Sequence, residues 1–193
     1  MIAVIKYNAG NIQSVAFALD RLGVEYIVTE DADEIRKADH VIFPGVGEAS
    51  TTMKFIRDKK LDQLIISLKQ PVLGICLGMQ LMCRHSEENN TACLGIFDEG
   101  VKRFESSPEL KVPHMGWNSL LQVKDWLDPR LEEQQVYFVH SYYVPANANT
   151  VASADYGVTF SAALRKDNFY AVQFHPEKSA AAGELVIKSF LDV

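Results

Sequence analysis

The stretch Pro71-Val72-Leu73-Gly74-Ile75-Cys76-Leu77-Gly78-Met79-Gln80 constrains this chain more than any other. Val72 to Ile75 is a short apolar run of β character, and Leu77, Met79, Leu81 and Met82 beyond it have good helix propensity. The order spells strand, sharp turn, helix. Gly74 and Gly78 make room for a turn in which a strained, exposed residue stands at the carboxyl end of the strand. That is the geometry of the G-x-S-x-G nucleophile elbow, with sulfur in place of oxygen. Cys76 then sits at a helix N-terminus, where unpaired N–H groups and the helix dipole favour a thiolate. The backbone N–H of Leu77 points the same way and can receive an oxyanion. Most free cysteines are small buried hydrophobes instead. Two flanking glycines, costly in regular structure, tip the balance toward a nucleophile.

The first half of the chain supplies a sheet in which such an elbow can stand. Ile2 to Tyr7 reads as a strand, and Asn8-Ala9-Gly10-Asn11 as a turn leading to a helix near Ser14. Val15, Ala18, Leu19 and Leu22 recur at helical spacing until Gly23 stops them. Tyr26 to Thr29 is a second strand, Asp31 to Lys37 a short polar helix, and His40 to Phe43 a third strand. Strands alternating with helices at this spacing imply a parallel sheet with crossover helices, whose ligands sit outside the carboxyl ends of the strands. Pro44-Gly45-Val46-Gly47 lies at one such end, where two glycines let the backbone approach a ligand and offer N–H groups. Leu61, Leu64, Ile65 and Leu68 mark a helix that delivers the chain to the elbow.

Beyond the elbow helix, on which Cys83 reads as a packing residue, Ser86-Glu87-Glu88-Asn89-Asn90 is expected to be a solvated polar loop. From Val101 to Phe174 the texture changes to short β runs: Ser119 to Val123, Tyr137 to Val139, Thr150 to Ser153 and Ala162 to Leu164. Antiparallel or mixed strands are expected there. The apolar strand Tyr170 to Phe174 leads into His175-Pro176-Glu177, and a last helix from Ser179 to Leu191 is expected to bury Leu185, Val186 and Phe190. The reading is an α/β fold, a central mostly parallel or mixed sheet flanked by helices with a β-rich second half, in one domain spanning 1–193.

Composition excludes several function classes. The net charge of −6 with no basic block argues against nucleic acid as a partner. No apolar run approaches a membrane span, and the first residues read as a strand rather than a signal peptide, so a soluble protein of the cytoplasm is expected. Cys76, Cys83 and Cys93 are odd in number and lack C-x-x-C spacing, which points to neither a disulfide framework nor a zinc site; no metal and no cofactor are expected.

His175 and Glu177 complete a chemical set. Pro176 restricts His175 to an extended conformation, and side chains two apart on an extended segment project to one side. Glu177 can then orient the imidazole while its other nitrogen faces a nucleophile. A cysteine, a histidine and an acid form a triad for acyl transfer. Alone, His175 could as well end a strand and Glu177 be a surface charge; with the elbow in the same chain the triad is favoured.

Gly74-Ile75-Cys76-Leu77-Gly78-Met79-Gln80 together with Gln173-Phe174-His175-Pro176-Glu177 resembles the class I (triad) glutamine amidotransferase family, whose architecture is flavodoxin-like. The resemblance runs from the first strand to the last helix. Within the family, Phe43 to Gly47, Pro113-His114-Met115-Gly116-Trp117-Asn118, Tyr137 to Tyr142 and His175 to Ser179 resemble the glutaminase subunits of imidazole glycerol phosphate synthases. The resemblance implies that Cys76 attacks the carboxamide of L-glutamine, with His175 as base and then acid and Glu177 holding the ring. It implies a glutamine pocket of Gly47, Gln80, Glu88, His140, Ser141 and Tyr142, and an oxyanion hole at the backbone of Val46 and Leu77. It also implies a separate cyclase subunit with a (β/α)8 barrel as heterodimer partner. That subunit would use the ammonia to make imidazole glycerol phosphate and an aminoimidazole carboxamide ribotide in histidine biosynthesis. Asn11, Pro113, Trp117, Asn118 and Lys178 match positions at or near that contact, although Trp117 as a core aromatic and Lys178 as a solvated charge are equally compatible with the sequence.

Two positions depart from the family pattern. Lys6-Tyr7-Asn8 stands where Asp-Tyr-Gly is frequent, and Cys83-Arg84-His85 is unusually polar. Neither touches the triad. A glutaminase serving another synthase, such as anthranilate, guanylate or aminodeoxychorismate synthase, is disfavoured by the Pro113 to Asn118 segment. A catalytically silent scaffold is disfavoured by the intact Cys, His and Glu set.

Overall fold

The elbow strand, Val72–Cys76, is at the centre of the computed structural model, which describes residues 1–7 and 11–193. Among these residues it belongs to a seven-stranded sheet. On one side it pairs in parallel with His40–Gly45, then Ile2–Ile5, then the edge strand Tyr26–Thr29. On the other side it pairs in parallel with Phe169–Val172. Val158–Lys166 and Thr150–Tyr156 extend that side as an antiparallel pair. The fold is thus α/β with a mixed, mostly parallel sheet. Side chains alternate between its two faces. Ile2, Val4, Ile42, Leu73 and Ile75 feed one apolar core with Val15, Leu19 and Phe190, while Ala3, Ile5, Val41, Phe43 and Val72 feed the other with Ile56, Leu64 and Ile65.

The first helix, Ile12–Arg21, presents Val15, Ala18 and Leu19 to the core and ends before Gly23, whose φ of 67° favours a glycine stop. The expected turn at Asn8-Ala9-Gly10 lies outside the described residues, as does Asn8 of the Lys6-Tyr7-Asn8 departure. The first strand ends at Ile5, not Tyr7; Tyr7 is buried and its hydroxyl donates to the Pro44 carbonyl instead of continuing the ladder.

Several elements differ from expectation. A helix over Ala49–Asp58, absent from the sequence reading, begins under Glu48, whose carboxylate accepts the N–H of Ser50 at 2.8 Å and of Thr51 at 3.0 Å. The elbow helix stops at Met82, so Cys83 lies on a strand, Cys83–Ser86, and not one turn further along the helix. Pairing with Phe97–Arg103 takes the chain away from helical geometry there. Cys83 is fully buried, as a packing residue should be. The Ser86–Asn90 segment is not simply solvated: Ser86 is buried and Glu88–Asn90 makes a 3-10 turn.

The strand expected at Ser119 to Val123 runs instead over His114–Ser119 and pairs antiparallel with Gln135–His140. Beyond it Leu121 bridges to Ser153 and Gln122 takes a φ of 55°, with Glu132 accepting the N–H of Gln122 at 3.0 Å and of Val123 at 2.7 Å. A further sheet joins Tyr142–Tyr143, Phe97–Arg103, Cys83–Ser86 and Thr91–Ala92. The final helix, Ala180–Leu191, buries Val186 and Phe190, whereas Leu185 is only partly covered at its rim.

Candidate active site

Cys76 ends its strand with φ 53° and ψ −108°, outside the conformations that L residues favour. The strain falls on the cysteine itself. The flanking glycines serve close approach: a Cβ on Gly78 would run into the Phe43 carbonyl of the neighbouring strand, and one on Gly74 would meet the Met82 sulfur at 2.8 Å. With both approaches open, the helix Leu77–Met82 starts directly at the cysteine. Cys76 is less exposed than the elbow motif implies, at 7 %. The hairpin His114–His140 and the Tyr142–Tyr143 strand close over it, and its residual surface opens into a cavity.

His175 reaches that cavity from the strand next door. Gln173 to His175 follow directly on Phe169–Val172, which pairs with the elbow strand at Val172 and Ile75. The His175 backbone is fastened to the hairpin: its N–H donates to the Tyr137 carbonyl at 2.9 Å, and Ser179 Oγ donates to its carbonyl at 2.6 Å. His175 is extended at φ −103°, ψ 94°, as Pro176 requires. Glu177, however, lies in a 3-10 turn spanning Pro176–Lys178, so it meets the ring across a turn and not along an extended segment. The outcome is the expected one. Nδ1–H of His175 donates to Glu177 Oε1 at 2.7 Å, with both side chains buried.

Burial alone lowers the His175 pKa, but the adjacent Cys76 sulfur and the Glu177 carboxylate together outweigh it and raise the imidazole to about 10. Nε2 has no hydrogen-bond partner of good geometry among the described residues. His175 and Cys76 line the same cavity. A ring held at Nδ1 and open at Nε2 beside a thiol can carry a proton to and from the nucleophile.

A cavity of about 340 Å³ opens over this pair, lined by Val46, Gly47, Cys76, Leu77, Gln80, Glu88, Pro113, Val139, His140, Ser141, Tyr142 and His175. Every residue expected in the glutamine pocket and the oxyanion hole is on that wall, as is Pro113 from the interface set. Glu88 is half-buried; burial raises its pKa, against the N–H of Ala49, which it accepts at 2.8 Å. The family model for class-I glutamine amidotransferases matches residues 3–192. The chain belongs to the class-I glutamine amidotransferases.

Full-length relatives within this amidotransferase family are close. A Bacteroides fragilis protein named imidazole glycerol phosphate synthase subunit HisH is 61% identical, covering 100% of this chain and 99% of its own. Proteins of the same name from Bacteroides thetaiotaomicron and Haemophilus influenzae are 59% and 45% identical, over 99% and 96% of their lengths. Among solved structures, a crystal structure of a glutamine amidotransferase aligns with a TM-score of 0.75 at 17% identity, covering 100% of this chain and 98% of that one. Another glutamine amidotransferase, from Thermotoga maritima, aligns at 0.64 and 15%, covering 99% and 82%. At those identities the structural likeness speaks for the amidotransferase fold alone.

The remaining residues singled out in the sequence fall on one rim. Trp117 is 51% exposed and Met115 62%, side by side on the outer face of the hairpin, so Trp117 is no core aromatic. Its ring meets Tyr137 edge-on at 6.1 Å, and Lys178 Nζ lies 6.0 Å over the same tyrosine. Asn118 faces inward, donating to the Asp155 carbonyl at 2.9 Å. Asn11 does not face outward only: its amide donates to Glu177 Oε1. Two residues of the quoted motifs to which the sequence assigns no role are His114, which is buried beside His140, and Gln173, whose amide lies 3.7 Å from the Cys76 sulfur.

Proposed function

We propose that this chain is the glutaminase subunit of an imidazole glycerol phosphate synthase, one domain spanning 1–193 that works in the cytoplasm on L-glutamine for a separate cyclase. The observation that carries the reading is that Cys76 and His175 share the wall of one half-open cavity with Glu177 bonded to the ring behind, in a chain similar over its full length to proteins named for that synthase. No helix among the described residues is long and apolar enough to cross a membrane.

Catalysis begins when His175 Nε2 holds the proton lost by the Cys76 thiol and the sulfur attacks the side-chain carboxamide carbon of glutamine. The oxyanion forms next to the backbone of Val46 and Leu77, which are assigned to stabilise it. Protonated Nε2 gives its proton to the departing nitrogen; ammonia leaves and a glutamyl thioester remains. Water, deprotonated by the same Nε2, attacks the thioester, and glutamate and the free thiol are released. Glu177 keeps the ring in one tautomer throughout. Gly47, Gln80, Glu88, His140, Ser141 and Tyr142 hold the substrate.

Ammonia released to water at neutral pH becomes ammonium and ceases to be a nucleophile, so a useful glutaminase delivers it through a covered interface. The exposed apolar pair Met115 and Trp117, with Lys178 over Tyr137 beside them and the exposed Pro113 at the cavity mouth, fits such a covering contact, to which Asn11 and Asn118 are also assigned. The partner assigned to it is the (β/α)8 barrel cyclase. The test mixes the purified chain with ligand-loaded cyclase and measures glutamate. Strong stimulation over the isolated chain is expected; equal rates reject partner gating. Failure to complement a histidine auxotroph lacking this subunit would assign the ammonia to another synthase.

A further inference from the structure

One backbone carbonyl orders a whole row of side chains next to the nucleophile. The Tyr142 carbonyl accepts from His140 Nδ1 at 2.7 Å and from Gln80 Nε2 at 2.9 Å. A carbonyl can only accept, so Nδ1 of His140 carries its proton and the Gln80 amide is turned with nitrogen toward Tyr142. In one direction, Gln80 Nε2–H also donates to Gln173 Oε1 at 2.9 Å, which turns the Gln173 amide so that its N–H points at Cys76 Sγ, 3.7 Å away. In the other direction, neutral His140 has a bare Nε2, and His114 Nδ1–H donates to it at 3.0 Å. His114 Nε2 is then bare and faces the Asn118 amide at 3.4 Å. Both histidines are buried. Burial pushes His140 down to about 3, assisted by His114 and His175 and opposed by the Tyr142 carbonyl, and it pushes His114 down to about 4.

We propose that His114 is a positioning residue of the active site, acting through His140, the Tyr142 carbonyl, Gln80 and Gln173 on the Cys76 sulfur. His114 touches neither the cavity nor the nucleophile. It is fixed in plane by stacking on Tyr156 at 4.0 Å and on Phe138 at 4.9 Å between centroids. Its donated hydrogen bond satisfies the one nitrogen of His140 that would otherwise be buried without a partner. With that bond in place, His140 can stay against Tyr142 on the cavity wall, and the two amides behind it keep one orientation. The chain starts at Asn118, on the strand that carries exposed Met115 and Trp117. It therefore connects that outer strand to the sulfur through groups that are each locked by the next.

The inference rests on the glutaminase reading, and the test separates the two. His114→Phe keeps the ring and its stacking but cannot donate; His114→Asn places an amide N–H near the position of Nδ1. In complex with cyclase, His114→Phe is expected to lower kcat for glutamate release about tenfold, the loss of one buried hydrogen bond of roughly 1.4 kcal/mol. His114→Asn should recover most of it. A kcat for His114→Phe within twofold of wild type, or an equal defect in His114→Asn, overturns the proposal. Independently of turnover, imidazole nitrogen chemical shifts of the wild-type chain should show His140 and His114 neutral with the proton on Nδ1 in both. A proton on Nε2 of His140 overturns the chain even if glutamine is hydrolysed. Absence of turnover in wild type together with the expected tautomers refutes the glutaminase reading and leaves the hydrogen-bond row standing.

Discussion

Asn11 and His175 share a single oxygen: Oε1 of Glu177 accepts both the Asn11 amide N–H and the His175 Nδ1–H. Asn11 can do this because it stands just before the helix Ile12–Arg21 with a left-handed φ of 80°, a conformation asparagine tolerates. The helix is thereby tied to Glu177, the proposed triad acid, whose carboxylate cannot rotate without losing two donors. Asn11→Gly keeps the backbone conformation and removes the donor. It is expected to lower kcat for glutamate release about tenfold, with the KM for glutamine nearly unchanged, since Asn11 does not line the cavity. An unchanged kcat would show that Asn11 serves only the surface.

The Glu177–His175 pair also makes stability depend on pH. The folded pKa of His175 is raised to about 10, because the sulfur and carboxylate beside it outweigh the burial that lowers it. The unfolded value is near 6.5. A group raised on folding contributes stability fully below its unfolded pKa and loses it as pH climbs to the folded one. The Cys76 sulfur supplies the larger part of that gain, and Glu177→Gln removes the rest. The stability gap between wild type and Glu177→Gln in urea denaturation should therefore be widest at pH 6 and narrow steadily from there to pH 10. A gap that is constant over that range would place the glutamate's contribution outside its pairing with the ring.

What was legible in the sequence follows from how local each cause is. The elbow was readable because Gly74 and Gly78 bracket Cys76 locally; the His175–Glu177 contact was expected from an extended segment, but the 3-10 turn Pro176–Lys178 makes it instead. The helix Ala49–Asp58 was missed because its cap is a glutamate, a weak signal, and the buried Thr52 interrupts its apolar face. The end of the elbow helix at Met82 is set by pairing of Cys83 with Phe97, a partner remote in sequence. For the same reason His114 and Gln173 carried no visible role. His114 meets His140 only through the register of the hairpin, and Gln173 meets Gln80 only because two distant strands flank the elbow. Such roles are created by tertiary register and leave no pattern in any one segment.

Gly78 tests the packing that holds the elbow helix against the sheet. A methyl group there would strike the Phe43 carbonyl, a backbone atom inside the central sheet that cannot swing aside. Gly78→Ala must separate the helix from the strand His40–Gly45, and overpacking of this kind costs about 3 kcal/mol. For a chain of this size that is a loss of roughly 6–12 °C in Tm. Activity should fall with it, because the displaced helix begins at Cys76 and carries Gln80. A Tm within about 2 °C of wild type, measured by calorimetry, would show that the approach can relax without cost.

Cys76 itself offers the sharpest separation of folding from chemistry. Its φ of 53° with ψ −108° is a conformation that costs a side-chain-bearing residue about 1–3 kcal/mol, and only glycine occupies it freely. The rest of the elbow holds it there, through the packing of Gly78 on Phe43 and the strand pairing of Cys76 with Gly45. Cys76→Gly removes the strain and the proposed nucleophile in one step. Glycine's greater freedom in the unfolded chain takes back about 1 kcal/mol, and loss of the small, nearly buried thiol takes back a little more. Tm is therefore expected to stay level or rise by a few degrees, while glutamate release falls below detection. Cys76→Ala, which retains the Cβ and hence the strain, should be equally inactive and less stable than Cys76→Gly. If the alanine variant proved the more stable of the two, the strained turn would not be a cost that the fold bears for its nucleophile.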